Sequence, residues 1–202
     1  MTKITIFDYG VGNLASLRNA FATLGIPVVV TSEIKEIQQS EKLILPGVGA
    51  FAPALQKLKQ TGMYEIILDK TAQGTPILGI CLGMQLFFTK SYEQGEWQGF
   101  NFFSGSVQRF SGIDKIPHMG WNTVTIVKQN TLFAEVQPEP YFYFVHSFFC
   151  APEHPNDISA TCNYGLPFCA AVHHENIWGV QFHPEKSQKD GLQLLHNFAF
   201  KI

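Results

Sequence analysis

The chain has 202 residues, 46% of them apolar and 15% charged, with a formal net charge of −2. That length predicts a single domain over 1–202 with a sizeable core, and the near-neutral charge excludes the basic footprint of a nucleic-acid binder. No apolar run reaches bilayer length, MTKITIFDYG is unlike a signal peptide, and four cysteines without C-x-x-C spacing predict free thiols in a reducing cytoplasm.

In chain order, KITIFDY reads as a short buried strand. NLASLRNAFATLG then sets Leu14, Leu17, Phe21 and Leu24 on one helical face and stops at Gly25. PVVVT and KLILPG are the next strands. FAPALQKLKQTG and MYEIILDKTAQG are helical, and TPILGI is a fourth strand. Strands alternating with helices imply a mostly parallel sheet covered on both faces. After about residue 100 the pattern changes to closely spaced strand-like runs: SGSVQRF, WNTVTIV, YFYFVHSFF, ISATCNY, FCAAVHH and IWGVQFH. These predict antiparallel strands added to the parallel core. Ser187 is the expected cap of a last helix, in which Leu192, Leu195, Phe198 and Ile202 share a face. The expected fold is α/β, a central mixed, mostly parallel sheet flanked by helices.

The chemistry concentrates where TPILGI runs into GICLGMQLF. G-x-C-x-G after a strand has the shape of a nucleophile elbow with sulfur in place of the serine oxygen. The glycines leave room for a sharp turn, which lifts the Cys81 sulfur to the start of a helix, where the dipole favours thiolate. The Leu82 N–H is then free to face a developing oxyanion. A lone cysteine between glycines is more often simply packed, so the reading needs a base. GVQFHPEKS offers one. Pro184 favours an extended His183, and residues i and i+2 of an extended chain face the same way, which sets Glu185 beside the imidazole. Both Cys81 and His183 fall at strand ends, where open α/β sheets carry their sites.

LPGVGAF places Pro46, Gly47, Val48 and Gly49 after another strand, a loop able to supply a second oxyanion donor or to be a plain turn. His173 and His174 are adjacent and point to opposite faces of a strand, and neither has a partner at metal-ligand spacing, so no metal site is expected. His146 follows an aromatic run, and His118 lies in the turn-forming PHMGWN. DYGVGNLA matches the alanine form of the dinucleotide fingerprint, with Glu33 at a suitable distance. Only one segment supports that reading, against three for cysteine catalysis. The simpler account is a strand–helix turn capped by Asn13.

Taken together, DYGVGNLASL, LPGVGAF, GICLGMQLF, PHMGWN, YFVHSF and QFHPEKS resemble the class I (triad) glutamine amidotransferases, in particular the glutaminase subunits of imidazole glycerol phosphate synthase. The resemblance runs from about residue 4 to the last helix and implies a flavodoxin-like fold. It implies a catalytic triad of Cys81, His183 and Glu185 acting on L-glutamine through a γ-glutamyl thioester. Leu82 N–H and the Gly47–Val48–Gly49 loop would form the oxyanion hole. Gln85 and the Ser147–Phe148 backbone would hold the substrate's amino-acid end. No cofactor is implied.

The chain shows no P-loop or other phosphate motif. The step that uses the ammonia is therefore expected in a partner, by resemblance a (β/α)8-barrel cyclase of histidine biosynthesis, with Asn13, His118, Trp121 and Lys186 at or near the interface. One departure stands out: family members usually read GLGLIPG where this chain reads GFNFFSG, at 99 to 105. It leaves open a paralogous subunit that serves a surface-sugar pathway. A stand-alone γ-glutamyl cysteine hydrolase is a further alternative.

Overall fold

The computed structural model describes residues 2–113 and 115–202. Its elements are β1 (Ile4–Phe7), α1 (Leu14–Thr23), β2 (Val28–Thr31), α2 (Ile34–Gln38), β3 (Lys42–Leu45), α3 (Phe51–Gln60), α4 (Met63–Ala72), β4 (Ile77–Ile80) and α5 (Leu82–Leu86). There follow β5 (Phe88–Ser91), β6 (Trp97–Gln98), β7 (Phe103–Arg109), β8 (His118–Ile126), β9 (Tyr141–His146), β10 (Phe148–Pro152), β11 (Ile158–Asn163), β12 (Pro167–His174), β13 (Ile177–Val180) and α6 (Gln188–Phe200).

One sheet joins all the strands, in the order β2-β1-β3-β4-β13-β12-β10-β7-β5-β6, with β11, β8 and β9 branching from β12. The five strands from β2 to β13 are mutually parallel. Beyond β13 the pairing turns antiparallel, except where β5 runs parallel to β7. Alternation along each strand divides the apolar residues between two cores. Ile4, Ile6, Ile44 and Leu78 face Leu17, Phe21, Leu194 and Phe198 of α1 and α6. Phe7, Leu43, Leu45 and Ile77 face Ile37, Leu55, Leu58 and Ile67 of α2, α3 and α4. Each such side chain, fully buried, contributes about 1.5–3 kcal/mol. Among the described residues no helix is long and apolar enough to cross a membrane.

The structure departs from the sequence expectations in several places. YFYFVHSFF is two strands, because the chain breaks from β9 to β10 at Ser147. β5, β6 and α2 have no clear periodic signal, being two to five residues long. Asn13 caps α1 as expected, accepting from Ser16 N–H at 3.2 Å. Ala50 cannot cap α3, and the Phe51 N–H instead donates to Glu93 Oε2 at 2.7 Å, a cap supplied by the tertiary fold. Ser187 occupies the cap position of α6, but its side chain does not cap. Its hydroxyl donates to the His183 carbonyl at 2.6 Å and accepts from Tyr143 N–H at 3.0 Å, tying the end of β13 to β9.

Candidate active site

The site begins with a strained corner. β4 ends at Ile80, and Cys81 takes φ 55°, ψ −108° before α5 starts at Leu82. A positive φ on a residue with a side chain is costly and persists only where the surroundings impose it. Here the imposition is steric. A Cβ on Gly79 would lie 2.7 Å from the backbone of Gly83 and Met84, and one on Gly83 would run into the Leu45 carbonyl. The two glycines allow α5 to fold back against β4 and β3, which leaves Cys81 at the apex.

Parallel pairing brings the base. Val180 of β13 lies opposite Ile80 of β4, and Cys81 N–H donates to the Val180 carbonyl at 2.8 Å. The two chains therefore leave the sheet side by side. His183 N–H donates to the Tyr143 carbonyl, a one-turn 3-10 helix covers Pro184–Lys186, and His183 Nδ1–H donates to Glu185 Oε1 at 2.8 Å. Both side chains are buried, at 2% and 4% exposure. Burial disfavours the imidazolium, but the Cys81 sulfur on one side and the Glu185 carboxylate on the other raise the His183 pKa above its ordinary value. His183 Nε2 has no hydrogen-bond partner among the described residues. The sulfur is near enough to raise the pKa, and Nε2 is the ring nitrogen left to take its proton.

A cavity of about 420 Å³ opens beside the sulfur. Val48, Gly49, Leu82, Gln85, Ser147 and Phe148 all line it together with Cys81. Gly47 is held behind them, where a Cβ would come within 2.8 Å of Leu82 Cβ. Asn13, Pro46 and Val48 meet His183 and Glu185 in a narrow crevice on the other side.

Two polar features were not foreseen from sequence. His118 Nδ1 and His146 Nε2 are 3.0 Å apart, and His146 Nδ1 is 2.8 Å from the Phe148 carbonyl. A carbonyl only accepts, so His146 carries its proton on Nδ1 and accepts at Nε2 from His118 Nδ1–H. Asn122 Nδ2 then donates to His118 Nε2 at 3.3 Å. Both imidazoles are neutral donors and acceptors, and burial lowers their pKa values to about 4 for His118 and about 3 for His146. His118, which the resemblance sets at or near the partner interface, is 2% exposed. The second feature is Gln181, fully buried, whose amide reaches both Cys81 and Gln85.

The model of the glutamine amidotransferase class-I family matches residues 5–202. The chain belongs to that family. It is 48% identical over 198 residues to imidazole glycerol phosphate synthase subunit HisH of Chlorobaculum tepidum, covering 97% of this chain and 98% of the relative. It is also 48% identical over 206 residues to the subunit of the same name from Geobacter sulfurreducens, covering 98% and 99%. Among solved structures, a glutamine amidotransferase aligns with a TM-score of 0.76 at 14% identity, over 97% of this chain and 98% of that one. PurLQS from Thermotoga maritima aligns at 0.75 and 16%, over 98% and 97%. These two likenesses speak for the fold alone.

The departure of this amidotransferase at 99 to 105 has a structural explanation. Asn101 sits at φ 59°, a left-handed position that asparagine tolerates best after glycine, and its Oδ1 accepts from Thr89 Oγ1 at 2.6 Å. Phe100 stacks on Tyr64 and on Phe102, and Phe103 stacks on Phe88. The extra aromatics fill the core behind α5. Trp121 is 45% exposed, and Lys186 Nζ lies 5.5 Å from the Tyr143 ring centroid.

Proposed function

We propose that the chain is the glutamine-hydrolysing subunit of imidazole glycerol phosphate synthase, with Cys81 as nucleophile, His183 as general acid and base, and Glu185 as its orienting carboxylate. The observation that carries this reading is the strained Cys81 corner on β4 next to the His183–Glu185 pair that leaves β13, both at one cavity. The sulfur gives its proton to His183 and attacks the side-chain carbonyl of glutamine. The oxyanion forms near Leu82 N–H and the Gly47–Val48–Gly49 loop. His183 then protonates the leaving nitrogen, ammonia departs, and a γ-glutamyl thioester remains on Cys81. Water loses a proton to His183 as it attacks the thioester, the proton returns to sulfur, and glutamate leaves. Gln85 and the Ser147–Phe148 backbone line the cavity where the amino-acid end of the substrate would rest.

Ammonia in neutral water is mostly ammonium, which cannot attack, so release into a docked partner suits this chemistry. The partner we propose is a (β/α)8-barrel cyclase that makes imidazole glycerol phosphate and aminoimidazole carboxamide ribotide in histidine biosynthesis. A suitable face lies at the cavity mouth. Met119, Trp121 and Tyr141 are 58%, 45% and 56% exposed, and the register of β8 on β9 sets Met119 opposite Val145 and Trp121 opposite Tyr143. Val145 itself lines the cavity, so the apolar strip continues into the site. Lys186 lies against Tyr143 on this strip, and Asn13 lies at the crevice beside His183 and Glu185. Four buried free cysteines support a reducing compartment such as the cytoplasm, and the single connected sheet supports reading 1–202 as one domain.

The test is Cys81→Ala in the complex. Glutamine-dependent synthesis should fall to background while synthesis from added ammonium salt continues. Retained glutamine turnover, or loss of both activities in a folded complex, would count against the assignment.

A further inference from the structure

One group that touches the sulfur has no part in the glutaminase reading: the Gln181 amide. Gln181 is the residue after β13, fully buried two positions before His183. Its Nε2 lies 3.6 Å from Cys81 Sγ, and its Oε1 lies 3.1 Å from Gln85 Nε2.

The orientation of this amide follows from its neighbours. Gln85 Nε2 also donates to the Phe148 carbonyl at 3.0 Å. That oxygen can only accept, which identifies the amino end of Gln85, and its second N–H needs an acceptor. Gln181 must therefore turn its oxygen to Gln85 and its N–H to the sulfur. A reversed amide would oppose two donors and leave both without partners in a buried site, at a large cost. A buried glutamine where an aliphatic side chain would pack is itself expensive unless its hydrogen bonds are made.

We propose that Gln181 is a further catalytic residue of this glutaminase: it donates to the Cys81 sulfur, holds it toward the cavity and stabilises its anionic form. An N–H donor strengthens as its acceptor gains negative charge, so the contact favours the sulfur after its proton has moved to His183. Through Oε1 the same amide is fixed by Gln85, a residue that lines the cavity. The nucleophile is thus aligned by the cavity wall and not only by its own strained backbone.

The inference rests on Cys81 being the nucleophile, and the test separates the two claims. The rate of Cys81 alkylation by iodoacetamide, a small neutral reagent, is measured against pH alongside glutaminase kinetics in the assembled complex. Gln181→Met keeps size and removes the N–H. Gln181→Glu keeps shape and the acceptor for Gln85 but sets a negative oxygen against the sulfur. Alkylation of Gln181→Met at neutral pH should slow about tenfold, as expected for loss of a hydrogen bond to a charged group. Its pH profile should move upward, and kcat should fall with little change in KM. Gln181→Glu should show larger effects in the same direction. A folded variant with the wild-type alkylation profile and kcat would overturn the role of Gln181. A wild-type complex that neither labels at Cys81 nor hydrolyses glutamine would instead overturn the glutaminase reading.

Discussion

His183 and the His118–His146 pair are comparably buried, yet their chemistry points in opposite directions. His183 has a carboxylate at 2.8 Å and a sulfur beside it, and its pKa is raised. His118 and His146 have each other, an amide and a carbonyl, and their pKa values fall. Burial opposes the charged form in all three. What differs is whether an anion sits within reach to offset it. One end of the site is built to hold and move a proton, and the other to keep neutral imidazoles as fixed hydrogen-bond spacers behind Phe148.

The largest effect should come from removing that anion. Glu185→Gln keeps the shape and a hydrogen bond but loses the charge and the tautomer control. Steady-state kinetics of the complex should show kcat lower by about a hundredfold or more with modest change in KM. A loss below about threefold would place the proton transfer elsewhere.

Acidification should separate the two histidine systems by sign. The pair's folded pKa values lie below the ordinary value of 6.5, so the unfolded chain takes up protons first as pH falls. Their contribution is complete above about 6.5 and is lost as pH falls through the folded values. For His146 alone this amounts to about 2 kcal/mol between pH 6.5 and 5. His183 behaves oppositely: its contribution is complete below the unfolded value and is lost as pH rises through the raised folded value. Urea midpoints of wild type and His146→Leu, compared at pH 5, 6.5 and 8, report this. The acid loss should shrink in the variant, and equal losses would refute the neutral pair.

The smallest effect sharpens the tautomer assignment. Asn122→Ala removes the donor to His118 Nε2 and should cost about 1 kcal/mol. Nitrogen shifts of labelled histidine should still show His146 protonated on Nδ1, because the Phe148 carbonyl sets that proton. A switch to Nε2–H would reverse the direction of the whole chain of bonds.

Much of this was legible in sequence because it is local. The G-x-C-x-G corner, the pairing of His183 with Glu185 and the helix face of α1 each depend on residues within a turn of one another. Glu185, however, reaches the imidazole through a 3-10 turn over Pro184–Lys186 and not along the extended chain expected. Gln181 was read only as part of a strand-like run, since a single glutamine before FHPE carries no periodic or spacing signal. Its partners are Cys81 and Gln85, about a hundred residues away. The His118–His146 pair depends in the same way on the register of β8 on β9. GFNFFSG, the one departure from the family pattern, buries Phe100 and Phe103 and sets Asn101 in a left-handed turn.

By itself, then, the sequence determined which groups could do chemistry and how each is presented locally, because backbone preference and side-chain spacing act over a few residues. Only the tertiary structure decided which of them meet. Inserting β13, the last strand in the chain, beside β4 brings a histidine near residue 180 to a cysteine near residue 80. The reason is physical: strand pairing and burial are satisfied jointly over the whole sheet, so proton position and charge at the site depend on contacts that no local pattern encodes.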